Sequence, residues 1–288
     1  MQVFGKLIRF AHKPTREKLQ IVRSTVLAKL PEMEWYWKVH SPGNDRTAYI
    51  IGLFGTGRLY LNQLVQLHIG ERAKYFRDTI RFHSGATSMI YSGHATVRHA
   101  SRAQAPPDVT RRILEAVRSG FADLIFLYRH PLDSLLTNWV YWRMYLRGDM
   151  RIFVSFAYEN TDDLCADLER NFIEFKLFAD GDPGFFAAAP GPRFLSFREF
   201  VEETELHLQS ATLAVKFEDF ATDPAMEFSK IAGVMGINLD LSRLRVAPPN
   251  TKPYRHLEVK EKVPRFRDFI EGLDAETKMR IGKFGYVL

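Results

Sequence analysis

The chain has 288 residues and a formal net charge of +6. Its 46% hydrophobic and 26% charged residues are typical of a folded globular protein and exclude wholesale disorder. No apolar run is close to the length of about 18 residues that a membrane-spanning helix needs. Cys165 is the single cysteine, which excludes an internal disulfide and a cysteine zinc cluster and favours a reducing, cytoplasmic location.

The positive charge is concentrated at the start of the chain. Residues 1–30 carry seven basic side chains and one acidic one, whereas the rest of the chain holds 33 of each. A body without net charge is not a broad nucleic-acid binder. We interpret residues 1–40 as a basic amphipathic N-terminal extension and 41–288 as the functional domain. The extension either packs on the domain or contacts the anionic inner face of a membrane peripherally.

Apolar strand-like runs alternate with helix-like stretches after the extension. The predicted strands cover 48–54, 88–92, 123–129 and 213–220. The predicted helices cover 59–67, 111–118, 132–146, 160–180 and 224–235. This order predicts an α/β fold with a central parallel sheet flanked by helices. In such sheets, ligands bind beyond the carboxyl ends of the strands, so the loops that follow the strands are the candidate sites.

A glycine-rich loop, with Gly55, Gly57 and then Arg58, follows the first predicted strand. Glycines let the backbone approach a phosphate, and the free N–H groups of a helix start favour an anion. Arg58 adds guanidinium donors but replaces the lysine of the Walker pattern, and Leu59 replaces its hydroxyl residue. Tyr60 stands where a dinucleotide fingerprint needs its third glycine. We expect an anion-binding loop, with a tight turn that binds nothing as the alternative.

A second basic loop follows the third predicted strand. Arg129 ends this strand, and Pro131 fits the first turn of the next helix. Thr137 lies two turns along that helix, so its hydroxyl could share an anion with the guanidinium. The alternative is an ion pair between Arg129 and Asp133, with Thr137 an ordinary helical residue.

These loops resemble those of sulfotransferases that use 3′-phosphoadenosine 5′-phosphosulfate (PAPS), in particular bacterial, glycan-type members. Gly55–Arg58 matches the first half of the family's phosphosulfate loop, and 59–61 replaces its Ser-Gly-Thr with Leu-Tyr-Leu, which removes hydroxyl contacts. Further matches are the Glu-Asp pair within 215–220 and the segment 265–286. The family's 3′-phosphate signature is matched, with Thr in place of Ser, by Arg129, Pro131, Asp133 and Thr137.

The resemblance implies a P-loop-like sulfotransferase fold and transfer of a sulfuryl group from PAPS to a hydroxyl of a glycan or glycolipid-like acceptor, without a metal. Arg58 would stabilise charge on the leaving oxygen, and His94 after the second strand would be the general base, with His83 and His99 as competitors. The basic stretch around Lys262 and Arg265 either supplies a further cation to the 3′-phosphate or is a solvated charged loop. The expected PAPS-binding residues are Gly55, Thr56, Gly57, Arg58, Leu59, Tyr60, Arg129, Thr137, Lys262 and Arg265.

Two other functions remain open from the sequence. A P-loop-like nucleotide kinase would use the same strand–loop–helix unit, but the chain lacks the lysine and the Ser/Thr that such enzymes place after the glycines. A catalytically degenerate member would bind the nucleotide without transferring a group, which the apolar residues Leu59 and Leu61 make plausible.

Overall fold

The structure is a computed structural model, and it describes part of the chain. For residues 47, 73–77, 88–95, 104–105, 108 and 144–147 it describes the backbone alone. The extension 1–40 and the predicted helix 59–67, apart from Leu61, lie outside the described residues. The described residues are 47–57, 61, 73–77, 88–95, 98, 104–105, 107–120, 122–147, 161–188, 193–235 and 255–288.

A parallel sheet forms the centre of the described fold. Its strands lie side by side in the order β2-β3-β1-β5-β6, and β4 pairs with the end of β3. Every pairing between these strands is parallel. The predicted α/β class with a parallel sheet is therefore confirmed. The strands are β1 (Thr47–Gly52), β2 (Ala73–Arg77), β3 (Ser88–Ala95), β4 (Gln104–Ala105), β5 (Ala122–Tyr128) and β6 (Leu213–Lys216).

The central strands β1 and β5 are buried on both faces. Successive side chains of a strand point to opposite faces, so Tyr49 and Ile51 join one apolar cluster with Phe126, while Ile50 joins another with Val215. Continuous apolar runs of this kind are typical of parallel strands that are covered by helices on both sides. These two strands therefore form a rigid base for the loops that leave their carboxyl ends.

Helices cover the sheet and form a further apolar cluster beside it. None of the described helices is both long enough and apolar enough to cross a membrane. Within the described residues the helices are α1 (Pro107–Arg118), α2 (Pro131–Arg147), α3 (Thr161–Arg170), α4 (Phe172–Asp180), α5 (Pro183–Ala188), α6 (Phe197–Ser210), α7 (Phe217–Thr222), α8 (Pro224–Met235), α9 (Arg255–Lys262), α10 (Pro264–Glu271) and α11 (Ala275–Lys283).

Several predicted elements differ from those observed: α1 begins at Pro107 rather than at Arg111, and strands β2 and β4 and helices α5, α6 and α9–α11 were not predicted. The single helix expected over 160–180 is two helices, α3 and α4, that meet at Asn171. The strand expected over 213–220 ends at Lys216, because Phe217 and Phe220 are three residues apart and both buried, which suits a helical turn, α7. The strand expected over 88–92 continues to Ala95, because β4 pairs with its last residues.

The helix α2, which follows the Arg129 loop, is anchored at its middle by aromatic and polar contacts. Trp139 stacks on Trp142 with ring centroids 5.4 Å apart. The indole Nε1 of Trp139 donates to Oδ2 of the buried Asp167 on α3 over 3.0 Å. Arg143 pairs with the other oxygen of Asp167 over 3.2 Å. These contacts fix the helix that carries Thr137.

Candidate functional site

Arg129 is a buried cation at the carboxyl edge of the sheet. Because β5 ends at Tyr128, Arg129 is the first residue beyond the strand, and its side chain is 1% exposed. Nη1 donates to Oγ1 of Thr137 over 3.5 Å, and Nη2 lies 3.6 Å from Oδ2 of Asp133. In the described part of the chain, Nε and Nη2 have no hydrogen-bond partner. Buried donors without acceptors cost about 1–3 kcal/mol, so this guanidinium is suited to an anionic ligand.

Asp133 also contacts His256, a residue of another helix, α9. Its Oδ1 accepts a hydrogen bond from the backbone N–H of His256 over 2.8 Å and lies 3.0 Å from Nδ1 of the same residue. Burial raises the pKa of Asp133, but the hydrogen bonds from His256 and the charge of Arg129 outweigh it and lower the pKa to about 2. The ion pair expected as the alternative is therefore present, but it leaves donors of Arg129 unused.

Thr137 contacts Arg129, as the eight-residue spacing suggests. The residue is 8% exposed, and its hydroxyl donates to the backbone carbonyl of Asp133 over 2.8 Å. A Ser or Thr hydroxyl inside a helix commonly makes this bond.

The glycine loop packs against the Arg129 loop. Gly55 and Gly57 have φ values of +82° and +84°, the left-handed region that favours glycine. A Cβ at Gly55 would lie 2.7 Å from the carbonyl oxygen of Ser134, and a Cβ at Gly57 would lie 2.3 Å from the ring of Phe217. The amide of Asn138 donates to the carbonyl of Phe54 over 3.3 Å. The two loops that the sequence singled out therefore lie together.

Thr56 has a structural role within this loop. Its side chain is 1% exposed, and its hydroxyl donates to the carbonyl of Leu53 over 2.7 Å. The hydroxyl thus closes the turn that presents the two glycines. The expectation that Thr56 belongs to the PAPS-binding residues stays a prediction.

Most of the candidate catalytic residues lie outside the residues that the structure describes. Arg58, with Leu59 and Tyr60, lies outside the described residues, as do His83 and His99. His94 is described by its backbone, and it lies inside β3 rather than after the strand as predicted. It follows Gly93, which pairs with Ile51, the partner of Phe126. The register therefore puts His94 at the carboxyl edge that also carries the glycine loop and Arg129.

The described contacts of Lys262 and Arg265 are with residues other than Arg129. Lys262 pairs with the exposed Asp162 over 2.7 Å. The same helix contacts Asp133 through His256, and six residues at about 1.5 Å each separate Lys262 from that contact by about 9 Å. Arg265 lines a different cavity, of about 630 Å³, between α4, α6, α10 and α11. Lys262 and Arg265 lie in helices α9 and α10 and not in the charged loop of the alternative, and their expected contact with the 3′-phosphate stays a prediction.

Sequence reasoning missed the histidines beside Arg129. The rings of His130 and His256 stack with centroids 3.7 Å apart. Burial, the main cause, and the neighbouring His256 lower the pKa of His130 to about 4, so its ring is neutral near pH 7. The Nε2 atom of His130 lies 3.2 Å from the carbonyl oxygen of Val287. His256 had no sequence signal, because the partner that it meets lies 123 residues earlier.

Over the residues that the structure describes, no group of His, Cys, Asp or Glu side chains could hold a metal ion.

Comparisons with known proteins give remote similarities. No family model and no curated protein matches the sequence. The structure is similar to mouse sulfotransferase SULT7A1 complexed with PAP, with a TM-score of 0.42 and 15% identity over 88% of this chain and 89% of that chain. It is also similar to a sulfotransferase from Alicyclobacillus acidocaldarius, with a TM-score of 0.40 and 10% identity over 81% of this chain and 98% of that one. Because both similarities are remote, the functional assignment rests on the residues of the site.

Proposed function

We propose that the chain is a sulfotransferase that moves a sulfuryl group from PAPS to a hydroxyl of a carbohydrate or glycolipid-like acceptor. The observation that carries this proposal is the buried guanidinium of Arg129, which is 1% exposed and has two nitrogens without a hydrogen-bond partner among the described residues. A buried cation with unused donors is costly unless an anion completes it. The 3′-phosphate of PAPS would be that anion, held together with Thr137.

The glycine loop is a candidate site for the second anionic group of PAPS, the 5′-phosphosulfate, and supports the same proposal. The glycine loop follows β1, and its backbone carries no side chain at Gly55 and Gly57, where a Cβ would clash with protein atoms at 2.7 and 2.3 Å. A ligand phosphate can approach such a backbone closely. PAPS has one phosphate at the 3′ position and a phosphosulfate at the 5′ position. Two neighbouring anion sites at one sheet edge suit this nucleotide better than a mononucleotide.

The proposed chemistry is a direct displacement at sulfur. The acceptor oxygen forms a bond to sulfur while the bond from sulfur to the 5′-phosphate oxygen breaks, and the negative charge moves to that oxygen. By analogy with phosphoryl transfer, positioning and charge stabilisation supply most of the catalysis. In this proposal Arg58 stabilises the leaving oxygen, and neutral His94 takes the proton of the acceptor hydroxyl.

Aromatic side chains beside the glycine loop support the acceptor class. The ring of Phe54 lies 5.4 Å from that of Phe194 and 6.2 Å from that of Tyr141. Phe54 and Tyr141 are only partly buried. Such rings can stack on a sugar or cover an acyl chain. Residues 1–30 would add a peripheral contact with an anionic membrane, where a glycolipid acceptor resides.

The proposal is tested by transfer of labelled sulfate from PAPS to a panel of glycans and glycolipids. The wild-type chain is expected to label an acceptor without magnesium, and Arg129→Ala is expected to lose most of this activity at low PAPS. Arg198→Ala is the control, because Arg198 lies on α6 and pairs with Glu202 and Glu276. Phosphate transfer from ATP that requires magnesium would instead show a kinase. PAPS binding without transfer to any acceptor would show a degenerate member.

A further inference from the structure

The segment 284–288 packs against the loop that carries Arg129. The side chain of Tyr286 is 5% exposed, and its ring lies 4.7 Å from that of His130 and 6.1 Å from that of Tyr128. Its hydroxyl donates to Oε2 of Glu218 over 2.7 Å. A residue far along the chain thus reaches the carboxyl end of β5.

Glu218 connects this tyrosine to the backbone at Arg129. It lies in the first turn of α7 and is 6% exposed. Its Oε1 accepts a hydrogen bond from the backbone N–H of His130 over 3.1 Å. That N–H belongs to the peptide unit that joins Arg129 to His130. Because a peptide unit is planar, a carboxylate that holds its N–H also fixes the direction in which the chain leaves Arg129.

Each oxygen of the Glu218 carboxylate therefore has one donor, Tyr286 on one side and the His130 amide on the other. Burial, together with the charge of Glu218, raises the pKa of Tyr286, so the hydroxyl stays protonated and can donate. The tyrosine ring is held in turn by Lys216, whose Nζ lies 4.2 Å from the ring centroid and donates to the carbonyl of Gly285 over 3.4 Å. Without the hydroxyl, the carboxylate would be free to turn away from the His130 amide.

Phe217, the residue before Glu218 in α7, packs its ring against the guanidinium of Arg129. The Cζ atom of Arg129 lies 5.0 Å from the centroid of this ring. A displacement of α7 would therefore move both the support of the guanidinium and the hydrogen bond that orients its backbone. The position of Arg129 depends on α7, and Tyr286 holds the carboxylate at the start of α7.

We infer that Tyr286 and Glu218 are positioning residues for Arg129 and that they set the preference of the chain for a nucleotide that carries a 3′-phosphate. The inference rests on the proposed function, because it assumes that Arg129 binds that phosphate. The inference goes beyond the proposed function, because it assigns the selectivity for the 3′-phosphate to two side chains that would not touch the ligand.

The test compares the affinities of adenosine 3′,5′-bisphosphate and adenosine 5′-monophosphate, which differ by the 3′-phosphate alone. Tyr286→Phe removes the hydroxyl and keeps the ring. We expect the ratio of the two affinities to fall about threefold to tenfold, the range for one lost hydrogen bond, while the monophosphate affinity is unchanged. Glu218→Gln is expected to lower the same ratio, and the double variant is expected to be no worse than Glu218→Gln, because the two side chains act as a unit.

Thr277→Val is the matched control. It removes a similar hydroxyl–carboxylate hydrogen bond, to Asp274 over 2.8 Å, from α11, the helix that precedes Tyr286. It is expected to lower the melting temperature and to leave the affinity ratio unchanged.

The outcomes separate the inference from the proposed function. A wild-type chain that binds both nucleotides equally would contradict the proposed function. A wild-type chain that prefers the bisphosphate, with an unchanged ratio in both Tyr286→Phe and Glu218→Gln, would overturn the inference and leave the function standing. A lower melting temperature with an unchanged ratio would overturn it as well. If Tyr286→Phe does not fold, Glu218→Gln decides the question alone.

Discussion

Arg129 and Phe217 lie in cation–π contact, with the guanidinium carbon 5.0 Å from the ring centroid. The same ring fills the space that a side chain at Gly57 would occupy, since a Cβ there would lie 2.3 Å from it. Phe217 is therefore the wall that the two candidate anion sites share. Its place at the start of α7, directly after β6, explains why residues from three strand ends converge on one edge of the sheet.

Removal of the guanidinium is expected to weaken nucleotide binding strongly. Arg129→Ala should weaken the binding free energy of adenosine 3′,5′-bisphosphate by about 1.5–3 kcal/mol, the scale for hydrogen bonds to a charged group. Thr137→Val should cost less, because a neutral hydroxyl donates one bond. Calorimetric titration measures both, with Arg198→Ala as the control. An unchanged affinity in Arg129→Ala would remove the 3′-phosphate assignment.

The contact between Gly57 and the Phe217 ring predicts that alanine destabilises the fold more at Gly57 than at Gly120. Gly57 and Gly120 have similar φ values, +84° and +75°, so alanine is strained at both. Within 4 Å a Cβ at Gly120 would meet nothing, whereas one at Gly57 would meet Phe217. We expect Gly57→Ala to lower the free energy of unfolding by about 1–3 kcal/mol more than Gly120→Ala, the usual cost of overpacking. Urea denaturation measures the difference, and equal losses would show that the ring is not a rigid wall.

Buried histidines predict that acid destabilises the fold. Burial is the main cause that lowers the pKa of both His130 and His207 to about 4. Both rings are neutral in the folded chain, whereas unfolded histidines gain a proton below a pKa of about 6.5. The stabilisation is therefore complete above pH 6.5 and is lost as the pH falls towards 4.

The expected loss between pH 7 and pH 5 is roughly 2 kcal/mol for each of these histidines. His207→Gln removes one titrating group and keeps a donor for the carbonyl of Glu203, to which the His207 ring bonds over 2.8 Å. Its free energy of unfolding should depend less steeply on pH over this range. Urea denaturation at pH 7 and pH 5 compares the variant with the wild type, and parallel pH profiles would contradict the assignment of the loss to His207.

The sequence predicted the alternation of β1, β3, β5 and β6 with helices, but it did not predict strands β2 and β4, helices α5, α6 and α9–α11, or several contacts. The helix 224–235 was predicted with the bounds of α8, because its apolar spacing and Pro224 are local signals. The end of β3 was missed because it depends on pairing with the two residues of β4. The contact of Tyr286 with Glu218 joins residues 68 positions apart, and no local pattern encodes which side chains meet over such a distance.

The general base is expected to affect turnover without affecting nucleotide binding. His94→Ala should lower kcat by about 10²–10⁴, the usual contribution of general-base catalysis, while the affinity for adenosine 3′,5′-bisphosphate is unchanged. In the wild type, the rate should fall on the acid side with an apparent pKa near the ordinary histidine value of about 6.5. Steady-state kinetics with labelled PAPS measures both. Full activity in His94→Ala would transfer the role to another group, with His83 and His99 as the next variants.

The central claim, that the chain binds PAPS through two anion sites, is tested most directly by calorimetric titration of the full chain without magnesium. The account predicts that adenosine 3′,5′-bisphosphate binds with one-to-one stoichiometry, more tightly than adenosine 5′-monophosphate, and that magnesium does not strengthen its binding. A chain that ignores the bisphosphate, or that binds ATP with magnesium in preference to it, would contradict the account.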